Sequence, residues 1–150
     1  MFLGEFHHSL DDKGRLTLPA RWREQLGFYV VITRGYDNCL FVFPGDKFER
    51  IAQAMNEAGF ERADARALSR YFFARATDVE PDKQGRIIIS STLRDYARIE
   101  NEAVIIGVNE RIEIWNPERY QEADSAVETD AAAVSERMAE IIQRALVQTR

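Results

Sequence analysis

The chain has 150 residues, and 20 Lys and Arg against 25 Asp and Glu give it a formal net charge of −5. This length allows one compact domain, or two very small units that share a hydrophobic core. The acidic balance argues against a protein that coats nucleic acid through bulk positive charge, whereas a few arginines focused on one face of an oligomer can still bind DNA.

The first predicted element is a strand over Met1–Leu10, which begins with apolar side chains. It leads into the turn Asp11-Asp12-Lys13-Gly14-Arg15, where Asp stands four residues before Arg and Gly directly precedes Arg. Gly14 can take a positive φ or a sharp bend. Leu16-Thr17-Leu18 then predicts a short strand, and Pro19 ends its ladder because proline lacks a backbone donor.

A β-hairpin is predicted over Tyr29–Phe43, with its turn at Arg34–Asn38. A helix is predicted next, over Lys47–Glu57, because apolar residues recur there at helical spacing. Asp46 is predicted to cap this helix, with Glu49 at the reciprocal position of a capping box.

A further helix is predicted over about Ala63–Ala76, where Arg62, Arg66 and Arg70 recur at a spacing of four residues. Side chains at this spacing share one helix face. The row is interpreted either as a stripe that contacts DNA or another subunit, or as a solvated face supported by neighbouring acids. Both interpretations stay open at this point.

The turn motif occurs a second time, at Asp82-Lys83-Gln84-Gly85-Arg86, and the apolar run Ile87-Ile88-Ile89 again follows it. Eight residues after the two motif arginines come Arg23 and Arg94. A second hairpin, predicted over Val104–Ile114, answers the first one. Two self-similar units therefore determine the fold.

The remaining predicted elements are helical. Short helices are predicted at Ala20–Gln25 and Thr92–Ala97, and they are too short to stand without packing. The stretch from Gln121 onward is Ala-rich and acidic, and apolar residues at helical spacing predict an amphipathic helix over Asp130–Gln148. That helix either docks on a neighbouring subunit or stays free in solution.

The Asp-x-x-x-Arg turn with Gly before Arg, followed by an apolar strand, resembles the AbrB-type DNA-binding half-barrel. Two copies joined by a helical middle resemble the MraZ family of bacterial transcriptional regulators. The segment Ala67–Phe73 also matches that family, and the resemblance covers roughly Met1–Tyr120. Ser90 departs from the pattern where Pro is expected, and His8 and Val79 stand where AbrB-like relatives often have a basic residue.

The resemblance implies an α+β, β-rich fold in which two tandem AbrB-type swapped-hairpin units close one pseudo-twofold double-split β-barrel with flanking helices. It places a first repeat with its helix at residues 1–60, a linking helix at 61–76, a second repeat at 77–124 and an acidic helical C-terminal tail at 125–150. Each half-unit alone would expose strand edges, and pairing both halves within one chain would cover them.

The resemblance also implies DNA binding through the repeated turns. A guanidinium group can hydrogen-bond O6 and N7 of guanine together, and it also pairs with phosphate. Base-edge or backbone contacts are therefore predicted for Arg15 and Arg86. Phosphate contacts that position the protein without specifying sequence are predicted for Lys13, Lys83, Arg23 and Arg94.

The residues predicted to orient the turns are Asp11, Asp82, Gly14 and Gly85. The Asp side chains could hold the motif arginines by local hydrogen bonds or terminate the turn. Alternatively, each Asp–Arg pair only staples a turn within the barrel. The two roles can coexist.

The function implied by the resemblance is that of a sequence-specific DNA-binding transcriptional regulator. It is expected to form a ring-shaped homo-oligomer and to bind direct-repeat boxes in promoter double-stranded DNA, upstream of the division and cell-wall gene cluster. Multivalent binding by a ring would raise a weak single-site affinity. The alternative is an antitoxin-like protein-interaction module, because AbrB-type half-barrels also occur in antitoxins.

An enzyme is not expected, because the sequence lacks the glycine-rich motifs of nucleotide and cofactor sites, and no cofactor or small-molecule ligand is predicted. No metal site is predicted either, since the only two histidines, His7 and His8, would point to opposite faces of a strand. The single cysteine, Cys39, and the lack of a long apolar run or a leader-like start predict a cytoplasmic protein without a membrane span. The resemblance to a family of DNA-binding regulators implies that the protein is also nucleoid-associated.

Overall fold

The computed structural model describes residues 1–149. Its strands are β1 (Phe2–Ser9), β2 (Arg15–Thr17), β3 (Val30–Arg34), β4 (Leu40–Pro44), β5 (Thr77–Val79), β6 (Arg86–Ile88), β7 (Glu102–Asn109) and β8 (Arg111–Trp115). Its α-helices are α1 (Arg23–Leu26), α2 (Gly45–Glu57), α3 (Ala63–Phe73), α4 (Ser91–Ala97), α5 (Pro117–Thr129) and α6 (Ala131–Gln148). A short 3-10 turn over Ala20–Trp22 precedes α1.

The strands form two antiparallel sheets. The larger sheet has six strands in the order β1-β7-β8-β4-β3-β5, and β2 pairs with β6 in a separate two-stranded sheet. In the small sheet Leu16 lies opposite Ile87, so the strands that follow the two motif turns pair with each other. The predicted α+β class with its antiparallel pairing is confirmed, and closure of these sheets into one barrel stays a prediction.

Equivalent elements recur in the same order along the chain. The elements β2, α1, β3, β4, α2 and α3 are followed later by β6, α4, β7, β8, α5 and α6. The last helix is therefore the counterpart of α3, and it lies close to the predicted Asp130–Gln148. By contrast, α5 is missing from the predicted elements.

The chain divides into two compact units, Met1–Pro117 and Glu118–Arg150. The first unit contains both motif turns and every strand of the two sheets. None of the helices formed by residues 1–149 combines the length and the apolar character that a membrane crossing requires.

Apolar side chains from both sequence repeats fill one shared core. Trp22 is only 1% exposed, and its ring centroid lies 5.6 Å from that of Phe2 and 5.1 Å from that of Phe6, both in edge-on contact. Such contacts stabilise the fold beyond simple burial of area. The equivalent buried residues of the two repeats are Leu16, Leu18, Trp22 and Leu26 in the first and Ile87, Ile89, Leu93 and Ala97 in the second.

The family-matching segment Ala67–Phe73 lies in α3 and attaches this helix to the large sheet. Thr33, fully buried on β3, donates its hydroxyl hydrogen to the Phe72 carbonyl at 2.6 Å. Arg34 donates from Nε to the Tyr71 carbonyl at 3.0 Å, and its guanidinium lies 4.1 Å from the centre of the Tyr71 ring. The segment therefore has a structural role in docking α3.

Two helix starts differ from the sequence expectation. The capping box of Asp46 and Glu49 is wrong: α2 begins one residue before Asp46 without a side-chain cap, and Glu49 accepts a hydrogen bond from the Tyr29 hydroxyl at 2.6 Å. At α4, Ser90 takes over the position where Pro is expected. Its Oγ accepts a hydrogen bond from the Leu93 amide at 3.3 Å, which makes Ser90 the N-cap.

Candidate nucleic-acid interface

The first motif turn is held by one carboxylate. Oδ1 of Asp11 accepts hydrogen bonds from the Arg15 amide at 2.8 Å and the Lys13 amide at 3.0 Å. Oδ2 of the same side chain accepts from Nε of Arg15 at 2.6 Å. Gly14 closes the turn with a φ of +77°, a conformation that strongly favours glycine, and its amide donates to the Asp11 carbonyl at 3.0 Å.

The second motif turn repeats this arrangement bond for bond. Oδ1 of Asp82 accepts from the Gln84 and Arg86 amides, each at 2.9 Å, and Oδ2 accepts from Nε of Arg86 at 2.7 Å. Gly85 has a φ of +78°, and its amide donates to the Asp82 carbonyl at 2.9 Å. Each Asp side chain thus bonds to the arginine of its own turn, and its role in orienting that arginine for DNA stays a prediction.

Each Asp–Arg contact uses only part of the guanidinium group. Arg15 and Arg86 both donate through Nε, and their Nη groups have no hydrogen-bond partner within residues 1–149. Their side chains are 27% and 30% exposed, so they remain accessible. A carboxylate on Nε fixes the plane of the guanidinium, and the Nη donors stay available to an acceptor such as a base edge or a phosphate.

Hydrogen bonding also keeps both carboxylates charged. The backbone N–H of Arg15 lowers the pKa of Asp11 below its ordinary value of 3.8, and that of Arg86 lowers the pKa of Asp82 in the same way. Because the folded-state pKa is the lower one, the stabilisation by each carboxylate is complete above its unfolded-state pKa and is lost as the pH falls through the folded value. Both turns are therefore held at neutral pH and released only in acid.

Replacing Asp11 by Asn keeps the side-chain size but removes the charge that holds Arg15. We expect Asp11→Asn to weaken binding of a DNA duplex roughly threefold to tenfold, because a charge-assisted hydrogen bond is lost. Fluorescence anisotropy of a labelled duplex measures the change.

Asp12→Asn is the matched control, because Asp12 is exposed and makes no side-chain hydrogen bond within the described residues. It removes the same charge at the neighbouring position, so it should bind DNA equally well or slightly more tightly. Equal weakening by the two variants would argue against an orienting role for Asp11.

The two motif turns meet at one cleft. Arg15 and Arg86 both line this cleft, whose volume is about 680 Å³, together with Thr17 and the two histidines. The pairing of β2 with β6 brings the turns there, since it places Thr17 opposite Arg86. Among the cleft residues without a predicted role, His8 is one that the sequence could have indicated, because it fills the slot before the turn that is often basic in AbrB-like relatives.

The other residues with a predicted phosphate contact fall into two groups. Lys13 and Lys83 lie exposed on the turns, and their ammonium groups have no partner among the residues that the structure describes. Arg23 and Arg94 instead hydrogen-bond within the protein. Arg23 donates from Nη2 to the Gln84 carbonyl at 2.5 Å, and Arg94 donates from Nε to the Ile89 carbonyl at 3.0 Å.

Two of the three arginines in the row at α3 bond to neighbouring residues. Arg62 pairs with Asp64 at 2.9 Å, and Arg66 donates to the Phe60 and Glu61 carbonyls, each at 2.9 Å. These bonds satisfy carbonyl groups just before the helix begins. The geometry favours the interpretation of a solvated, self-paired face over that of a DNA-binding stripe.

A metal site finds no support in the same region. His7 lies beside Glu5, with Nε2 and Oε2 3.0 Å apart, and both side chains are largely exposed. Within residues 1–149 no three side chains of His, Cys, Asp or Glu are grouped so that they could hold one metal ion.

Comparison with known proteins gives a family for this arrangement. A family model described as "MraZ protein, putative antitoxin-like" matches residues 1–71 and again residues 72–142, so each match includes one motif turn. Three similar proteins are all named "Transcriptional regulator MraZ". The chain is 49% identical over 138 residues to that of Moorella thermoacetica, which covers 92% of this chain and 96% of the relative.

The other two relatives are as extensive. The protein of Desulforamulus reducens is 44% identical over 142 residues, covering 95% of this chain and 100% of the relative, and that of Lactiplantibacillus plantarum is 46% identical over 140 residues, covering 93% and 96%. Their names are those of regulators, which confirms the prediction that the chain is not an enzyme. Because the family model matches twice and these relatives align over almost their whole length, the chain belongs to the MraZ family.

Proposed function

We propose that this protein is a sequence-specific DNA-binding transcriptional regulator whose two motif turns contact double-stranded DNA. One observation carries the proposal: two equivalent arginines, each fixed at Nε by an aspartate and unpartnered at Nη, line a single cleft. The relatives named as transcriptional regulators support the same function. Oriented arginines are well suited to hydrogen-bond guanine edges or phosphates.

The residues have different roles in this proposal. Arg15 and Arg86 supply base-edge or backbone contacts through their free Nη groups. The exposed ammonium groups of Lys13 and Lys83 pair with phosphate and so place the turns along the duplex. Asp11 does not contact DNA and serves to orient Arg15, and Asp82 orients Arg86 in the same way.

Several binding faces would let an acidic protein hold DNA more firmly. With a net charge of −5, only the cleft side has to be basic, and repetition of that face in a homo-oligomeric ring would raise the affinity through multivalency. The apolar face of α6 supports assembly, because Ile141 and Ile142 are 57% and 51% exposed within the chain. The ring would engage direct-repeat promoter boxes upstream of the division and cell-wall genes, in the cytoplasm and on the nucleoid.

The proposal is tested by anisotropy titration of a labelled duplex that carries the region upstream of the protein's own gene. We expect binding to this duplex to be tighter than binding to a scrambled duplex of equal length. The logarithm of the binding constant should fall linearly with the logarithm of the salt concentration, because phosphate contacts release counterions. Absence of binding at low salt would overturn the proposal, and sedimentation analysis of the same sample tests the ring.

A second candidate function is an antitoxin-like protein-interaction module. It is favoured by the description of the matching family model, which includes the words "antitoxin-like". Stoichiometric co-purification of a toxin with the tagged protein from its native host would support this candidate. Specific promoter binding by the purified protein alone would count against it.

A further inference from the structure

We infer that Arg23 and Arg94 are positioning residues, each of which packs on the motif turn of the opposite repeat and holds it in place. The inference rests on the proposed function, because its importance lies in where Arg15 and Arg86 present their free donors. It assigns to Arg23 and Arg94 a role other than direct phosphate contact. Each DNA-contacting turn would then be built by both repeats.

The contact of Arg23 crosses between the repeats. Arg23 starts α1 of the first repeat, yet its Nη2 donates to the carbonyl of Gln84 in the second motif turn at 2.5 Å. Its guanidinium also occupies the space in front of Gly85, where a Cβ atom would lie 2.7 Å from Nε of Arg23. Next to this contact, the amide of Leu18, just after β2, donates a hydrogen bond to the Gly85 carbonyl at 2.9 Å.

Arg94 likewise packs on the glycine of the first motif turn, and its hydrogen bond goes to Ile89 of its own repeat. A Cβ atom at Gly14 would lie 3.2 Å from both Nε and Cζ of Arg94, so the guanidinium lies against the bare face of this glycine. Nε of Arg94 donates to the Ile89 carbonyl at 3.0 Å, and the Ile89 amide donates to the Gly14 carbonyl at 2.9 Å. Ile89 therefore links the two groups, because its carbonyl accepts from Arg94 and its amide donates to Gly14.

A comparison among the glycines shows that the backbone conformation alone does not account for these contacts. Gly27 and Gly59 also have positive φ values, +73° and +84°, yet an added Cβ would meet no atom within 4 Å at either position. Only at Gly14 and Gly85, among these four, does a guanidinium from another element fill the space. The motif glycines therefore serve two purposes: they allow the turn, and they let an arginine pack directly on it.

This packing matters for recognition because the turns are short and partly exposed. A base contact needs its donors placed to within a fraction of an ångström, and residues that support the contacting residues supply that precision. Without Arg23, the second turn keeps its internal Asp82 bonds but loses the bond on the Gln84 carbonyl and the surface against Gly85. The consequence is a looser Arg86 and an intact Arg15.

The crossed arrangement is tested by double-mutant cycles on duplex binding. We expect Arg23→Ala to weaken binding roughly threefold to tenfold in the wild-type background and by less than about twofold in the Arg86→Ala background. In the Arg15→Ala background its full effect should persist. Arg94→Ala should show the reverse pattern, with its effect lost only in the Arg15→Ala background.

Two outcomes of the double-mutant cycles would contradict the inference. If Arg23→Ala and Arg94→Ala keep their full effects in both backgrounds, the two arginines contact DNA by themselves and the inference is wrong. If the effect of Arg23→Ala is lost only in the Arg15→Ala background, and that of Arg94→Ala only in the Arg86→Ala background, the crossed assignment is wrong. Circular dichroism identifies any variant that does not fold, and the mirror variant then carries the test.

A second measurement needs no DNA and separates failure of this inference from failure of the proposed function. The Gly85 and Gly14 amides each donate a hydrogen bond inside their own turn, so their hydrogen exchange reports turn opening. Arg23→Ala should speed exchange at Gly85 roughly tenfold and leave Gly14 within about twofold, and Arg94→Ala should do the converse. Equal acceleration at both glycines, or none, would overturn the inference even if the wild-type protein binds DNA.

A glycine substitution provides the matched control for strain. Gly85→Ala places a methyl group against Arg23, whereas Gly59→Ala imposes a similar backbone strain where the Cβ meets nothing. We expect Gly85→Ala to weaken duplex binding as much as Arg86→Ala does, and Gly59→Ala to leave it within about twofold of wild type. Comparable losses for both variants would show that backbone strain, and not the displaced arginine, is responsible.

Discussion

Replacement of Arg15 or Arg86 by alanine is expected to weaken binding of the upstream duplex by about 1–3 kcal/mol for each arginine that contacts a base with both donors. This corresponds to a loss of about 5-fold to 150-fold in affinity. The physical reason is the free Nη pair on a guanidinium that Asp11 or Asp82 already orients at Nε. Anisotropy titration of both single variants against wild type measures the loss.

Arg62→Ala is the matched control for this prediction. It removes the same charge, but the Arg62 side chain is 71% exposed and, among the residues that the structure describes, pairs only with Asp64 on the surface. Removal of such a charge should change the affinity by less than about threefold, through the general field alone. If Arg15→Ala weakens binding no more than Arg62→Ala does, the first motif turn does not contact bases.

Replacement of Trp22 by alanine is expected to lower the free energy of unfolding by about 3–5 kcal/mol. Trp22 is almost fully buried and makes edge-on contacts with Phe2 and Phe6, so its removal leaves a large cavity beneath β1. The β2–β6 pair and the motif turns rest on the same core. Urea denaturation followed by circular dichroism at fixed protein concentration measures the change.

Phe60→Ala provides the comparison for the core prediction. Phe60 is also a large aromatic residue, but it is 81% exposed, so its removal should shift the free energy of unfolding by no more than about 0.5 kcal/mol. A Trp22→Ala variant as stable as Phe60→Ala would mean that the core under β1 can collapse around the missing ring.

The parts of the fold and site that sequence predicts well are those with local causes. The Asp11–Arg15 bond joins residues four apart, and Gly14 supplies the positive φ between them, so the motif itself contains the geometry. The second copy of the motif contains its own geometry in the same way. The strands are also predicted from local features, because the apolar run of each is followed or preceded by a turn. Helix α6 can be predicted for a similar reason, because its apolar residues recur at helical spacing.

The parts that sequence does not predict depend on contacts between distant residues. Arg23 reaches a carbonyl 61 residues away, and nothing in its neighbourhood signals that its donors are already used within the protein. The capping box at Asp46 fails for a related reason, because Glu49 is taken by Tyr29 from 20 residues earlier in the chain. Local patterns reveal which groups can form a bond, and the tertiary fold determines which of the possible partners they meet.

The most direct test of the central claim compares wild type with the double variant Arg15→Ala/Arg86→Ala. Both proteins are titrated with the upstream duplex and with a scrambled duplex, at several salt concentrations. The wild type should prefer the upstream duplex roughly 10³-fold or more, and the folded double variant should bind both duplexes with equal, weak affinity. A double variant that still prefers the upstream duplex would contradict the claim that the paired arginine turns recognise DNA.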